Sequence, residues 1–361
     1  MSTRPNLPFI EALHGGYWNL DLKDFCHMIN PYFPPQEILN KMAGSLSTSS
    51  RSYPSTNKHI SLLISNYLNL NVDNIIIGNG ASELINIIER SLITNLAIPI
   101  PTFDEYVNRL TLQGKGKSLY KIEKNNFNLD LDSFIKFAEQ SNANAVLLVR
   151  PNNPTGNLIS KAKMKYALEK LANLDVVLVD ESFIEFSTTK GNASILDLIN
   201  DYKNLIIIKS LGKVYGVPGL RLGIAISGNI NRMDALREQL SIWNINSLAQ
   251  YFIELLKDYQ KEFDESCAKV IRSTAKLYNE LSELECLRPY PTEANFILCK
   301  LTNNMTSREL VTFLFENFGF LIRDCGTKPG LDSRFIRIAS RTDKENENLI
   351  SAIKRWEESK R

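Results

Sequence analysis

Leu205-Ile206-Ile207-Ile208-Lys209-Ser210-Leu211-Gly212-Lys213-Val214-Tyr215-Gly216-Val217-Pro218-Gly219-Leu220-Arg221-Leu222-Gly223 runs from a strand-like apolar segment into a Gly/Pro-rich turn. Lys213 stands between the two, with the hydroxyl of Ser210 three residues before it and Arg221 eight residues after it. A lysine taken alone is an ordinary solvated cation. In this layout its amine also suits covalent attachment to a carbonyl cofactor, with Ser210 and Arg221 gripping the cofactor's phosphate. The rest of the chain decides between these readings.

Outward from this stretch, short apolar runs alternate with helical patterns from about Ser55 to Asn229. Strands are predicted at Ile75–Ile77, Leu96–Ile100, Ser118–Ile122, Ala145–Val149, Val176–Val179, Leu205–Ile208 and Leu222–Ile226. Amphipathic stretches such as Ser82–Leu92, Asp130–Gln140 and Ser160–Leu171 lie between them. Strands apolar on both faces and alternating with helices imply a largely parallel sheet covered on each side. After Asn229 the pattern turns to long charged helices, with Ala249 to Leu284 nearly free of breakers. Short strands follow around Asn295–Cys299, Phe320–Arg323 and Phe335–Ile338, with helices at Ser307–Phe318 and Lys344–Glu358. The predicted class is α/β: a large domain with a mostly parallel seven-stranded sheet flanked by helices, a smaller α+β C-terminal domain, and an N-terminal arm. The expected boundaries are 1–50 for the arm, packing with the small domain, 51–235 for the large domain and 236–361 for the small one.

Composition narrows the function. The chain has 361 residues, 43% hydrophobic and 23% charged, with a formal charge of +2. That is enough for two domains and a substantial core, and too little positive field to imply nucleic acid. Five widely spaced cysteines (Cys26, Cys267, Cys286, Cys299, Cys325) form no CxxC and read as reduced thiols of a cytoplasmic protein. Met1 to Asn19 shows no continuous apolar signal segment, and no apolar run approaches the roughly 20 residues needed to span a bilayer. The three histidines (His14, His27, His59) have no metal-ligand spacing, so neither a metal site nor a histidine-based triad is expected.

Open α/β sheets bind ligands at the carboxyl ends of their strands. Ile75–Ile77 leads into Gly78-Asn79-Gly80-Ala81-Ser82-Glu83, where a helix start offers backbone N–H groups to an anion; a tight turn with Ser82 as helix cap explains the same residues. Glu83 occupies the place of the third glycine of a dinucleotide fingerprint, and Gly116-Lys117-Ser118 lacks the earlier glycine of a nucleotide loop, since position 111 is Thr111. Arg150-Pro151-Asn152-Asn153-Pro154-Thr155-Gly156 is a rigid turn that could hold Asn153 immobile as a donor. Asp180, ending the buried run Val176–Val179, is costly unless paired and could hold a proton on a heteroaromatic nitrogen. Phe103 after Pro101-Thr102 suits either the core or a stacked ring. Arg323 and Arg337 lie on small-domain strands where apolar residues are expected, and suit either a grip on carboxylate or phosphate or a surface ion pair.

These pieces, in this order, resemble the fold-type I pyridoxal-phosphate-dependent aminotransferase superfamily over almost the whole chain. The resemblance implies pyridoxal 5'-phosphate as cofactor, with Lys213 as its Schiff-base lysine, Asp180 on the ring nitrogen, Asn153 on the phenolate oxygen and Phe103 stacked on the ring. It implies phosphate contacts from Gly80, Ala81, Ser82, Ser210 and Arg221, and a substrate-carboxylate role for Arg337. Arg51-Ser52-Tyr53-Pro54 looks like the segment through which such homodimers reach the partner's cofactor phosphate, with Tyr53 as the contact and the active sites at the subunit interface.

Within the superfamily the chain is similar to the branch shared by histidinol-phosphate aminotransferase and threonine-phosphate decarboxylase. His14-Gly15-Gly16, Ile29-Asn30-Pro31, Trp243-Asn244-Ile245-Asn246 and Leu321-Ile322-Arg323-Asp324-Cys325 lean towards the decarboxylase, and Phe183 stands where most aminotransferases of the branch carry Tyr. The resemblance implies decarboxylation of an O-phospho amino acid, L-threonine phosphate foremost, in cobalamin side-chain synthesis. Arg337 and Arg323 would hold substrate carboxylate and phosphate between them, with Asn153, His14, Gly15 and Asn30 adding substrate contacts. Transamination of histidinol phosphate is the alternative, and a cofactor-binding protein without turnover is a third. Three departures stand out: Gly212 where Ser or Thr usually precedes the lysine, Ile224 in place of a common aromatic, and Arg150 with no assigned role.

Overall fold

A computed structural model describes residues 5–123, 126–189, 193–302 and 305–360. Residues 1–4 of the expected arm lie outside them. Its strands are β1 (Lys23–Phe25), β2 (Ile75–Asn79), β3 (Asn95–Ile100), β4 (Gly116–Lys121), β5 (Ala145–Val149), β6 (Val176–Asp180), β7 (Leu205–Ser210), β8 (Leu222–Ile226), β9 (Leu287–Pro289), β10 (Phe296–Leu301), β11 (Phe320–Asp324) and β12 (Phe335–Ala339).

The large sheet has the order β2-β8-β7-β6-β5-β3-β4. All neighbours run parallel except β8, which is antiparallel to β2 and β7. The seven expected strands are these seven. Successive side chains point to opposite faces, and both faces are buried. Val146, Leu148, Val177, Val179, Ile207 and Ile224 pack to one side. Leu147, Val149, Leu178, Ile206 and Ile208 pack to the other, against helices Ala81–Leu92 and Asp104–Leu112. Edge strand β4 is the exception, mostly exposed and carrying Lys117 and Lys121, which blunts the open edge.

The second sheet has the order β1-β11-β12-β10-β9. β1 joins it parallel to β11, so the segment around residues 23–25 is a strand of the small domain. The three-residue strands β1 and β9 were not expected. One face packs Ile297, Cys299, Leu321, Ile336 and Ile338 under helices Ser307–Phe318 and Asp343–Glu358. Both helices begin with a reciprocal capping box, Thr306 with Glu309 and Thr342 with Glu345. The other face carries Leu298 and Phe335, which meet Ile122 and Phe127 of the large domain.

Helix Leu7–Leu13 packs with the same small-domain core through Leu7 and Ile10, whereas the segment from Met28 onward packs on the large-sheet core. Helix Gln36–Ser49 places Ile38 and Met42 in the large-sheet core, and that core continues past residue 235 through Phe252, Phe263 and Val270. The stretch Ala249 to Leu284, expected to be nearly free of breakers among long helices, is occupied by two helices, Ser247–Leu256 and Gln260–Ser282. No helix among the described residues is long and apolar enough to cross a membrane. All five cysteines are free thiols.

One close approach fixes the site's position. The Asn30 backbone N–H donates to the Lys213 carbonyl at 2.9 Å, and Gly216 has φ +64°. A Cβ at Gly216 would stand 1.8 Å from the Phe33 carbonyl oxygen, so only glycine fits both the conformation and the space. Gly216→Ala is expected to destabilise the fold by more than about 2 kcal/mol in chemical denaturation. Gly114→Ala is the control, because Gly114 shares the positive φ but would meet nothing within 4 Å, and should cost only about 1 kcal/mol.

Candidate active site

The strand register gathers the site. Val149 pairs with Asp180, and Asp180 pairs with Ile208, so three parallel strands end side by side. Their following loops carry Asn153, Asp180 with Phe183, and Lys213. Lys213 sits on the short helix Leu211–Val214 directly after β7. It is half-buried, its Nζ 4.4 Å from the Phe183 ring centroid and 5.3 Å from the Phe103 ring centroid. Burial lowers its pKa from the ordinary 10.5 to about 8; Asp180 opposes the shift, while Arg337 and Arg221 reinforce it.

Asp180 is 5% exposed and held from two sides. The Tyr106 hydroxyl donates to Oδ2 at 2.9 Å, and the Ser182 backbone N–H donates to Oδ1 at 2.9 Å. Tyr106 lies three residues after Phe103 on helix Asp104–Leu112, and its pKa is pushed well up by burial and by Asp180. Ser182 in turn accepts at Oγ from the Ser210 backbone N–H at 2.9 Å, tying the Asp180 loop to the end of β7.

The expected phosphate contacts meet at the start of helix Ala81–Leu92. Gly80 caps that helix without any side-chain hydrogen bond, so no capping side chain takes the first-turn N–H groups, an arrangement that suits an anion. Ser82 is therefore not the cap; it is the second helical residue, and its Oγ accepts from Arg221 Nη2 at 3.2 Å. A Cβ at Gly80 would stand 2.4 Å from Arg221 Nη2, so glycine makes room for the guanidinium. Gly212 also has a packing reason. A Cβ there would lie 3.1 Å from Pro218 Cα and 3.3 Å from the Val217 oxygen, tight for a Ser or Thr.

Arg337 brings the small domain to the site. It lies on the face of β12 that looks towards the large domain, and it is 6% exposed. Nη1 donates to Asn153 Oδ1 at 2.5 Å and Nη2 to the Cys26 carbonyl at 2.7 Å, while Nε has no partner. No carboxylate pairs with it among the described residues, and burial lowers its pKa. Arg323 stands directly opposite on β11 and is exposed. Two guanidiniums facing each other across strands repel, and an anion between them relieves that repulsion. The Arg337 bond occupies the oxygen of Asn153 and leaves its Nδ2 to donate.

The remaining expected residues lie further out or are occupied. Asn30 is 2% exposed; its Nδ2 donates to the Val214 carbonyl at 3.0 Å and to Ser266 Oγ at 2.9 Å, and its Oδ1 accepts from the Tyr32 N–H at 3.0 Å. Its side chain therefore holds the Lys213 segment and has no donor left for a substrate. His14 is an exposed helix end with φ 52°, followed by Gly15 with φ 150°. Tyr53 is 78% exposed and stacks on Trp243 at 4.1 Å between centroids. Sequence reasoning missed Tyr106, whose only signal is its helical spacing from Phe103. It also missed Lys328, which bridges the domains by pairing with Asp104 at 2.5 Å and donating to the Thr102 carbonyl at 3.0 Å.

Arg150, without a role in the sequence, is fully buried and ion-paired with Glu181. Register explains the pair: Val149 opposes Asp180, so the next residue of each strand meets its counterpart.

Residues 28–353 match the family described as aminotransferase class I and II. The chain is 31% identical over 364 residues to an L-serine phosphate decarboxylase of Sulfurospirillum multivorans, covering 96% of this chain and 91% of that protein. It is 33% identical over 347 residues to a CMP-5'-(3-aminopropyl)phosphonate synthase of Streptomyces rubellomurinus, covering 95% of this chain but 54% of that protein, so it spans about half of that relative's length. The crystal structure of the histidinol-phosphate aminotransferase from Clostridium acetobutylicum superimposes with a TM-score of 0.86 at 29% identity, covering 94% of this chain and 100% of that one.

A buried amine whose pKa is lowered costs stability while it is protonated, and the cost disappears as it loses its proton. In the cofactor-free chain, Lys213→Met should therefore unfold at higher denaturant than the native chain at pH 7. The gap should close as pH rises from about 8 towards 10.5, the interval between the folded and ordinary values. Denaturation curves across that range measure it.

Proposed function

The chain belongs to the aminotransferase class I and II family, and from that premise we propose that it is a pyridoxal-phosphate-dependent decarboxylase of a small O-phospho amino acid. L-serine phosphate stands first because the relative at 31% identity bears that name. L-threonine phosphate, favoured by the sequence motifs, differs by one methyl group, and its product would serve a cobamide side chain.

The donor set fits the cofactor. The uncapped helix start at Gly80, with Ser82, Ser210 and Arg221, suits a phosphate; Asp180 suits a ring nitrogen, Asn153 Nδ2 a phenolate, and Phe103 a ring face. When bound, pyridoxal phosphate supplies an aldehyde carbon that amines attack and a cationic ring that draws electrons from the bonds at the substrate's α-carbon. Asp180, aimed by Tyr106 and Ser182, would hold the proton on the ring nitrogen. Burial lowers the Lys213 pKa to about 8, so part of its amine is neutral near neutrality, the form that would bond to the cofactor's aldehyde. With a substrate bound, the Lys213 amine would be the group placed to deliver a proton to the α-carbon.

The observation that carries the reading is the buried Arg337, which has no carboxylate partner among the described residues and stands opposite Arg323. Their two positive charges match a phosphate of roughly −1.5 to −2. With the phosphate held there, Arg337 would serve the phosphate rather than the substrate carboxylate expected from the resemblance, and the carboxylate would be left without a cationic partner from this pair. Histidinol phosphate would bring a phosphate to the same two arginines, so what favours decarboxylation over amine transfer is the relative of that name at 31% identity.

The same proposal makes the chain a homodimer, with Tyr53 reaching the partner's cofactor phosphate. Tyr53, Trp243 and Ile242 together expose an aromatic and apolar surface, with Ile242 76% exposed.

Serine phosphate, threonine phosphate, and histidinol phosphate with 2-oxoglutarate, each offered to the chain with pyridoxal phosphate, separate the readings. Carbon dioxide and a phosphorylated amino alcohol should appear from the first two without any keto acid. Amine transfer dependent on 2-oxoglutarate, with no carbon dioxide, would overturn the proposal. Lys213→Ala should abolish turnover, and Asp180→Ala should retain the cofactor while losing on the order of a hundredfold or more in kcat. Light scattering should give the mass of two chains, and Tyr53→Phe should weaken cofactor binding by about three- to tenfold.

A further inference from the structure

We propose that Arg150 is a positioning residue that, through Glu181, fixes the loop carrying Asn153 against the strand end carrying Asp180. The proposal rests on the cofactor reading above and adds to it a part of the chain that the family resemblance leaves without a role.

The Asn153 loop is a lobe closed on itself. The Gly156 N–H donates to the Asn152 carbonyl at 2.7 Å, and the Asn152 N–H donates to the Asn157 carbonyl at 2.9 Å. Such a lobe can still swing about its neck, and Arg150 holds the neck. It is the first residue of the lobe, and its Nε and Nη2 donate to the carbonyl of Ile159, on the returning side, at 3.0 and 2.8 Å. Nη2 also donates to the Ala193 carbonyl at 2.8 Å, and the backbone N–H of Arg150 donates to the Asp180 carbonyl at 2.8 Å.

Nη1 completes the clamp on the Glu181 carboxylate. Glu181 follows Asp180 and is equally fixed: Oε2 accepts from Ser194 Oγ at 2.6 Å, Oε1 from the Ile195 N–H at 3.1 Å, and its own N–H donates to the Ile208 carbonyl at 2.8 Å. Both side chains are 0% exposed. A buried ion pair contributes little net stability compared with apolar residues of like volume, because desolvation offsets the attraction. What it adds here is direction. A planar fork meeting two carbonyls and a carboxylate admits one arrangement of the neck, and an apolar pair would admit several.

The result is that Asn153 and Asp180, which would contact different atoms of one planar ring, are set relative to each other by a pair that touches neither the ring nor the substrate. Small errors in such a constellation are felt in binding, as with outer-shell partners of metal ligands, where their loss costs about ten- to hundredfold.

The test measures pyridoxal phosphate affinity and melting temperature on the full chain. Arg150→Met alone strands the Glu181 carboxyl and should lower the melting temperature strongly. The double variant Arg150→Met with Glu181→Met removes both charges; it should recover most of the melting temperature yet bind pyridoxal phosphate about tenfold or more weaker than the native chain. Arg150→Lys keeps the charge but cannot reach both carbonyls and the carboxylate at once, so it should fold and bind the cofactor several-fold weaker. Leu281→Ala, in the small-domain core, should lower the melting temperature and leave cofactor affinity unchanged. Native affinity in the double variant or in Arg150→Lys would overturn the proposal, as would an equal loss of affinity in Leu281→Ala. A native chain that takes up no pyridoxal phosphate would overturn the cofactor reading, and this proposal with it.

Discussion

The parallel register that sets Val149 beside Asp180 and Asp180 beside Ile208 is the constraint on which the rest depends. Because the strands end level, their loops emerge at one edge, and residues scattered along the chain become neighbours. The sheet is buried on both faces, so a shift of one residue would turn every apolar side chain of a strand to the wrong layer. Core packing and site geometry are thus held by the same register. Slipping β6 by one position would expose Val177 and Val179 to the other layer and carry Asp180 away from Tyr106 and Lys213.

Charge gives the site its chemical bias. Lys213, Arg221, Arg323 and Arg337 converge on a region where Asp180 is the negative group acting on Lys213. Desolvation and like charge both act against protonation of the lysine, which makes its amine a better nucleophile. They also leave the arginines in want of anions. Arg337 takes neutral partners, the Asn153 amide and the Cys26 carbonyl, and these orient it without neutralising it. A site built this way suits ligands that bring several negative charges.

The sequence made the large sheet legible because its strands are apolar on both faces and punctuated by glycine, proline and amphipathic helices. β1 and β9 were not legible, since three residues carry no periodicity and their pairing is decided by distant strands. Lys213, Asp180, Asn153 and Arg221 could be picked out because each follows a recognisable strand or turn. Tyr106 could not, because its value lies in a bond to a residue 74 positions away. Ser82 read equally well as a cap, and the choice turned on where the helix begins and on the reach of Arg221. Arg150 and Glu181 each look anomalous alone; pairing their strands in register shows that each is the other's explanation.

The pairing of β1 with β11 also governs the order in which the molecule can assemble. The large sheet has all its strands once β8 has been made, and it can begin to form while the remaining chain, including the later helices that complete its core, is still emerging from the ribosome. The small sheet has no such freedom, because one of its edge strands is synthesised first and the strand it must join comes nearly last. Until β11 appears, the segment Lys23–Phe25 waits unpaired with Phe25 uncovered. The buried guanidinium of Arg337, anchored to the Cys26 carbonyl just beyond that strand, is therefore set in place by the final closure of the chain. Assembly of the fold and placement of its buried arginine are one late event.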